Sequence, residues 1–172
     1  MRDRELWKEI YQKYARRMLT VCMRYAPGRE QAEDMMHDGF MQVFRSLDKF
    51  TDRGEGSLRA WMERIMINTC LQHLRKKDLL RNSALVETGK EPADDDTLEA
   101  SAERVPGTVL RSFIQQLPPG YRTVFNLYVF EGMSHKEIAQ KLNIKEKTSS
   151  SQLYRAKCLL ATQIKEYERK QQ

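Results

Sequence analysis

The sequence predicts an all-α fold of two small helical domains joined by an acidic linker. Three observations carry that expectation. Apolar residues recur at intervals of three and four on either side of the chain's middle, Pro and Gly interrupt those stripes at helix-length intervals, and the charge changes sign between the two periodic blocks. A chain of 172 residues is long enough for one mid-sized domain or two small ones, and the change of composition at its centre favours two.

The N-terminal block, residues 1–77, reads as three helices. Leu6, Ile10, Tyr14, Met18, Val21 and Tyr25 form a one-sided stripe that Pro27-Gly28 breaks. A second helix runs from about Glu30 to Leu47, with Met36, Phe40, Val43 and Leu47 on one face. After the polar loop Thr51–Gly56, Ser57 is an expected N-cap for a third helix. That helix turns Leu58, Trp61, Ile65 and Thr69 inward and ends in Arg75-Lys76-Lys77. The phase assigns Trp61 to the core rather than to base stacking.

Residues 78–106 have no sustained apolar period. Between Asp78 and Arg104 eight acids face three bases, a net charge of −5 in a chain of net +6. This segment is expected to be a flexible linker, and the excess positive charge falls on the blocks it joins.

The C-terminal block, residues 107–172, reads as four helices. Leu110, Phe113, Ile114 and Leu117 mark the first, stopped by Pro118-Pro119-Gly120. Tyr121–Phe130 forms the second, with Val124, Leu127 and Tyr128 inward and Gly132 ending it. Ser134 lies three residues before Glu137, the spacing of a capping box, and starts a short helix carrying Ile138, Ala139 and Leu142. Past Asn143-Ile144-Lys145, a longer helix turns Leu153, Ala156, Leu160 and Ile164 inward.

Composition narrows the function. No run approaches the ~18 apolar residues of a membrane span, and MRDRELWKEI lacks the apolar centre of a signal peptide, so a cytoplasmic protein without membrane insertion is expected. Cys22, Cys70 and Cys158 are odd in number and far apart, which argues against a disulfide framework. His37, His73 and His135 do not fall at metal-ligand spacing, and neither a phosphate loop nor a nucleophile elbow is present. No catalytic site and no cofactor are expected. A pI near 9.3 invites a polyanionic partner.

The strongest local pattern is MSHKEIAQKLNIKEKTSSSQLYRAKCLL, residues 133–160. A short capped helix, a tight turn and a polar-faced second helix make a helix-turn-helix, whose second helix fits the major groove. Lys147, Thr148, Ser149, Ser150, Gln152, Arg155 and Lys157 are its candidate contacts, hydroxyls and amide for base edges and cations for phosphates.

Residues 110–160 resemble the promoter-reading domain of the extracytoplasmic-function sigma factors, a subfamily of the sigma-70 family. The matching residues are Leu117-Pro118, Arg122-Thr-Val-Phe-Asn-Leu127, Glu131-Gly-Met-Ser134, Glu137-Ile-Ala139, Leu142, Thr148, Ser151, Leu153, Arg155 and Ala156. The resemblance implies that the second helix reads the minus-35 promoter element. Ser149-Ser150 and Gln152 depart from the Val-Lys and Arg often found there, which bears on the DNA sequence preferred.

Two N-terminal segments extend the resemblance. QAEDMMHDGFMQVFRSL, residues 31–47, is similar to the segment that docks on the clamp helices of RNA polymerase. Asp34, Asp38 and Gln42 share one face at i, i+4 and i+8, suited to a basic partner, with His37 beside them. SLRAWMERIMINTCLQHLRKK, residues 57–77, resembles the family's minus-10 helix through Arg59, Ala60, Trp61, Arg64, Ile65, Asn68, Leu74 and Arg75. The implied minus-10 contacts are Lys49, Asp52 and Arg53 of the loop and Arg59, Arg64, Asn68, Arg75 and Lys76 of the helix. Opening DNA there requires a pocket for an unstacked base and cations along the strand. The expected partners are core RNA polymerase (clamp helices and flap), promoter DNA and, because family members are commonly restrained by one, an anti-sigma factor. The alternative is a helix-turn-helix regulator that binds DNA as a dimer without polymerase.

Overall fold

The computed structural model describes residues 2–76 and 95–172, and every regular element among them is helical. Residues 78–94 of the expected linker, and Lys77 of the basic cluster, lie outside the described residues. The chain divides into two compact units, Met1–Asp78 and Leu79–Gln172.

In the first unit α1 (Arg2–Tyr25), α2 (Arg29–Ser46) and α3 (Ser57–Lys76) each pack on the other two, with a 3-10 turn at Leu47–Lys49. The expected stripe of α1 is buried at Ile10, Met18, Val21 and Tyr25, while Leu6 at its head is exposed. From α2 come Ala32, Met35, Met36, Gly39, Phe40 and Val43. Gly39 leaves room for Met66 of α3 against α2, because a β-carbon there would overlap Met66 Sδ.

The phase expected for α3 is off. Its buried residues are Met62, Met66, Ile67, Thr69, Cys70, Leu71 and Leu74, whereas Leu58, Trp61 and Ile65 are half-buried on the shoulder. Apolar residues cover most of this helix's circumference, so periodicity alone allowed two faces. The face with two fully buried methionines is the one that packs. All three cysteines are buried and free. Contact with Cys22, then burial, pushes the Cys70 thiol well up, which keeps it protonated and unreactive.

The second unit is built along α8 (Glu146–Gln171), against which α4 (Asp95–Glu103), α5 (Gly107–Gln116), α6 (Pro119–Val129) and α7 (His135–Leu142) pack. Its core joins Ile114, Leu117, Tyr121, Ala156 and Leu160, flanked by Leu110, Phe113, Phe125 and Leu159. The expectation of an irregular linker fails for α4. That helix has few apolar residues of its own, but Leu98 and Ala102 border a groove with α8, and Arg104 just beyond it lies 3.4 Å from Glu168.

Pro119 stands in the first turn of α6, where its missing N–H costs nothing, so Pro118-Pro119 ends α5 and opens α6 at once. Arg122 is buried, and its Nη1 donates to the Gln115 carbonyl at 2.7 Å, satisfying an acceptor at the end of α5. Burial lowers its pKa to about 10, which leaves it charged at neutral pH. Tyr128, expected inward, is exposed and stacks on His135 at 4.9 Å. Val124 and Leu127 are buried as expected.

Candidate nucleic-acid interfaces

The first of the three surfaces read from the sequence is the polar face of α2. Asp34, His37, Asp38 and Gln42 are all exposed, on the side opposite Met36, Phe40 and Val43. Asp38 is not purely a surface charge, since its Oδ2 lies 2.7 Å from His73 Nε2 of α3. Within the same face Met41 is 52% exposed. Its position off the apolar stripe was the available signal, and the sequence reading passed over it. Beside the face, Trp7, itself 42% exposed, stacks on Phe44 at 4.8 Å. Together they give an acidic helix with apolar residues at its centre and edge.

The loop before α3 is closed by side chains. Asp52 Oδ1 accepts from the Gly54 N–H at 3.0 Å and from Ser57 Oγ at 2.8 Å, while the Arg53 N–H donates to Ser57 Oγ at 3.1 Å. The Ser57 bond, then the Gly54 bond, lowers the Asp52 pKa. Ser57 therefore fastens the loop rather than capping the helix, and the Gly56 carbonyl accepts the first helical bond, from Ala60. Gly54 at φ 110° and Gly56 at φ 80° hold a backbone that β-carbons disfavour.

The structure divides the expected minus-10 set in two. Lys49, Arg53 and Arg59 are exposed around the loop, where the Arg59 guanidinium reaches back toward Gly56. Arg64, Asn68 and Arg75 line the exposed face of α3, and Gln72, which the sequence reading missed, fills the row at spacings of four and three. Lys76, four residues past Gln72, is exposed beside Arg75 at the end of the row, and Asp52 is committed through one oxygen to the loop. Trp61 is not core. It is half-buried against Phe50, ring centroids 5.1 Å apart, between loop and row.

In the second unit the helix-turn-helix has the expected parts. Ser134 Oγ accepts from the Glu137 N–H while the Glu137 carboxylate accepts from the Ser134 N–H, a complete capping box that lowers the Glu137 pKa. Asn143 takes the left-handed conformation that turns the chain into α8. Lys147, Thr148, Gln152 and Arg155 come together, with Lys145, Ser151 and Tyr121, around a groove of 370 Å³.

Three expected contacts part from that group. Ser149 is a correction: it is fully buried, with Oγ 2.9 Å from His135 Nδ1, and cannot meet a base edge. Lys157 is another, because two residues past Arg155 the helix has turned it to the opposite side, where it lines the apolar groove beside Phe130, Leu160 and Ile164. Ser150 is exposed but does not line the cationic groove. Among the described residues no group of His, Cys, Asp or Glu could hold a metal ion, and no helix is long and apolar enough to cross a membrane.

Comparison with known proteins decides between the families that use a helix-turn-helix. Residues 10–79 match the family described as Sigma-70 region 2, and residues 108–160 match Sigma-70, region 4. The chain belongs to the sigma-70 family. Its relatives include the ECF RNA polymerase sigma factor SigE of Mycolicibacterium smegmatis, 30% identical over 88% of this chain and 58% of that protein. The RNA polymerase sigma-H factor of Pseudomonas aeruginosa is 27% identical over 90% of this chain and 84% of its own length. The ECF RNA polymerase sigma-E factor of Escherichia coli is 26% identical with the same coverage of each chain. The match thus spans less than two thirds of the mycobacterial relative, and the resemblance to the extracytoplasmic-function subfamily is borne out. In these terms the α2 face, the loop and the α3 row fall in sigma region 2, and the α7–α8 groove falls in region 4; α4 lies between the two matches.

Proposed function

We propose that this chain is a non-catalytic transcription-initiation subunit of the cytoplasm, which binds core RNA polymerase, carries it to specific promoters and helps open the minus-10 element. The observation that carries the reading is the presence on one chain, in sigma order, of a region 2 unit with a braced loop beside a cationic row and a region 4 unit with a cationic helix-turn-helix groove.

The α2 face, with Asp34, Asp38 and Gln42 around exposed Met41, takes the clamp helices of polymerase. Duplex opening then draws on binding energy. An unstacked base leaves the duplex for the Asp52–Ser57 loop and the Phe50–Trp61 pair, where base–aromatic contact contributes about 1–3 kcal/mol per base. Arg64 and Arg75 neutralise phosphates along the strand, and Asn68 and Gln72 offer amides to base edges. In the second unit Gln152, Thr148 and Ser151 meet minus-35 base edges while Lys145, Lys147 and Arg155 hold the backbone. The polymerase flap, or an anti-sigma factor in its place, finds an apolar seat in the 640 Å³ groove bordered by Leu98, Phe125, Val129 and Phe130.

The deciding experiment adds purified full chain to core polymerase on genomic DNA and maps transcript 5′ ends. Discrete new start sites sharing two spaced elements are expected. Dimeric duplex binding without new starts would instead establish a regulator acting apart from polymerase.

A further inference from the structure

We propose that α1 carries a separate phosphate track for single-stranded nucleic acid, in the groove of Lys13, Arg16, Arg17, Thr20 and Arg24. These residues, with Val21, line a concavity of 470 Å³ on the first unit. Between Glu9 and Glu30 the chain has Lys13, Arg16, Arg17, Arg24 and Arg29 and not one acid, in a sequence with 24 acids overall. A merely solvated helix face mixes signs through i,i+4 pairs; from Lys13 to Arg24 this helix has no acid of its own, and Glu63 of α3 is engaged by Arg17.

Core formation does not explain the residues either. The buried stripe of α1 runs through Ile10, Met18, Val21 and Tyr25, and Lys13, Arg16 and Arg17 stand exposed beside it. From Lys13 to Arg24 the helix advances about 16 Å, so the cations form a line rather than a point. A line of guanidinium and ammonium groups with one hydroxyl suits a phosphodiester backbone, because it holds charge without offering pockets for side chains.

The position of the groove selects nucleic acid over an acidic peptide. Arg17 is fixed by an ion pair with Glu63 of α3, and Glu63 lies one turn beyond Arg59, the cation at the Gly56 end of the loop. The loop cation Arg59 and the α1 cations therefore lie on either side of Glu63, whose carboxylate is already taken up by Arg17 and leaves Lys13 and Arg16 in excess. This step rests on the proposed reading of α3 as the single-strand face, and it adds a contact to that strand's backbone with no base preference.

The test measures binding of a fluorescent single-stranded oligodeoxynucleotide to the full chain across a series of salt concentrations. Lys13→Gln, Arg16→Gln and Arg24→Gln are combined, which leaves the Arg17–Glu63 pair and the helix intact; Arg64→Gln with Arg75→Gln is measured in parallel. Each lost single-strand phosphate contact lowers the log–log salt slope by about 0.7, so the α1 variant should lose up to about 2. A changed slope for α1 with an unchanged slope for α3 would support the track and sink the α3 reading. An unchanged α1 slope, or no salt-dependent binding by the parent chain, overturns the track. So does an α1 variant that loses only its binding to poly-glutamate, because the groove then serves an acidic protein.

Discussion

His135 Nδ1 and Ser149 Oγ lie 2.9 Å apart and join the first helix of the helix-turn-helix to the second. The His135 ring is stacked on Tyr128 of α6, so three helices meet at this contact. Ser149 is thus a structural tie inside the helix-turn-helix. Removing it leaves a ring nitrogen without its partner in a partly buried place, which costs about 1–3 kcal/mol. Ser149→Ala should lower the stability of the second unit by that amount in urea unfolding. Its minus-35 preference, in a selection from random promoters, should stay as in the parent. A changed preference would mean that Ser149 reaches DNA.

The two ends of the reading helix should separate in their effects. Gln152 lines the cationic groove, whereas Lys157 lines the apolar one. Gln152→Ala should alter the selected minus-35 sequence and cost roughly 1–3 kcal/mol where a base contact is lost. Arg155→Gln should weaken all sequences alike and lower the salt slope by about one unit. Lys157→Ala should do neither. Salt titrations of DNA binding check all three, and a lowered slope for Lys157→Ala would return that residue to the DNA face.

Why some of this was legible in the sequence and some was not has a physical answer. The Ser134–Glu137 capping box and the α8 stripe are local, and a single spacing specifies them. The phase of α3 was not legible because Trp61 and Met62 are adjacent apolar residues, and the packing of α1 and α2 on the helix decides which one is enclosed. Ser149 was misread because a small hydroxyl is equally at home on a polar face or beside a buried histidine. The Asp38–His73 contact joins residues 35 positions apart and leaves no periodic trace. Helix α4 exists through its packing on α8, which its own composition does not announce.

Gly39 should be intolerant in a way that depends on one partner. Alanine gains about 1 kcal/mol of helix propensity over glycine, but its β-carbon would overlap Met66 Sδ, and Met66 is fully enclosed. Gly39→Ala should therefore destabilise the first unit by about 1–3 kcal/mol, the cost of overpacking. In a Met66→Ala background the same change should become stabilising. A double-mutant cycle by denaturant unfolding measures the coupling, and additive effects would show that the helices separate to make room.

The Asp52 carboxylate gives the loop before α3 a pH limit. Its pKa is lowered from 3.8 by Ser57 first and Gly54 second, so its contribution is present above 3.8 and fades as pH falls through the lower folded value. The Gly54 amide shift in NMR should titrate with a midpoint below 3.8. Ser57→Ala should move that midpoint back upward, and a midpoint unaffected by Ser57→Ala would mean that the hydroxyl does not hold the carboxylate.

Charge changes on α2 need separating from the fold, because Asp38 also binds His73. Reversing Asp38 would place a cation against that ring and disturb the packing of α2 on α3, so a loss of polymerase binding there has two explanations. Asp34 is exposed on the same face and makes no contact with α3 among the hydrogen bonds and ion pairs of the described residues. Asp34→Lys should therefore weaken capture of core polymerase while leaving helical content and thermal midpoint unchanged. Met41→Ala should do the same through lost apolar contact, since a methionine 52% exposed contributes little to its own core. A pull-down of core polymerase at fixed salt reads both. If Asp34→Lys and Met41→Ala each bind like the parent chain, the clamp does not sit on this face of α2.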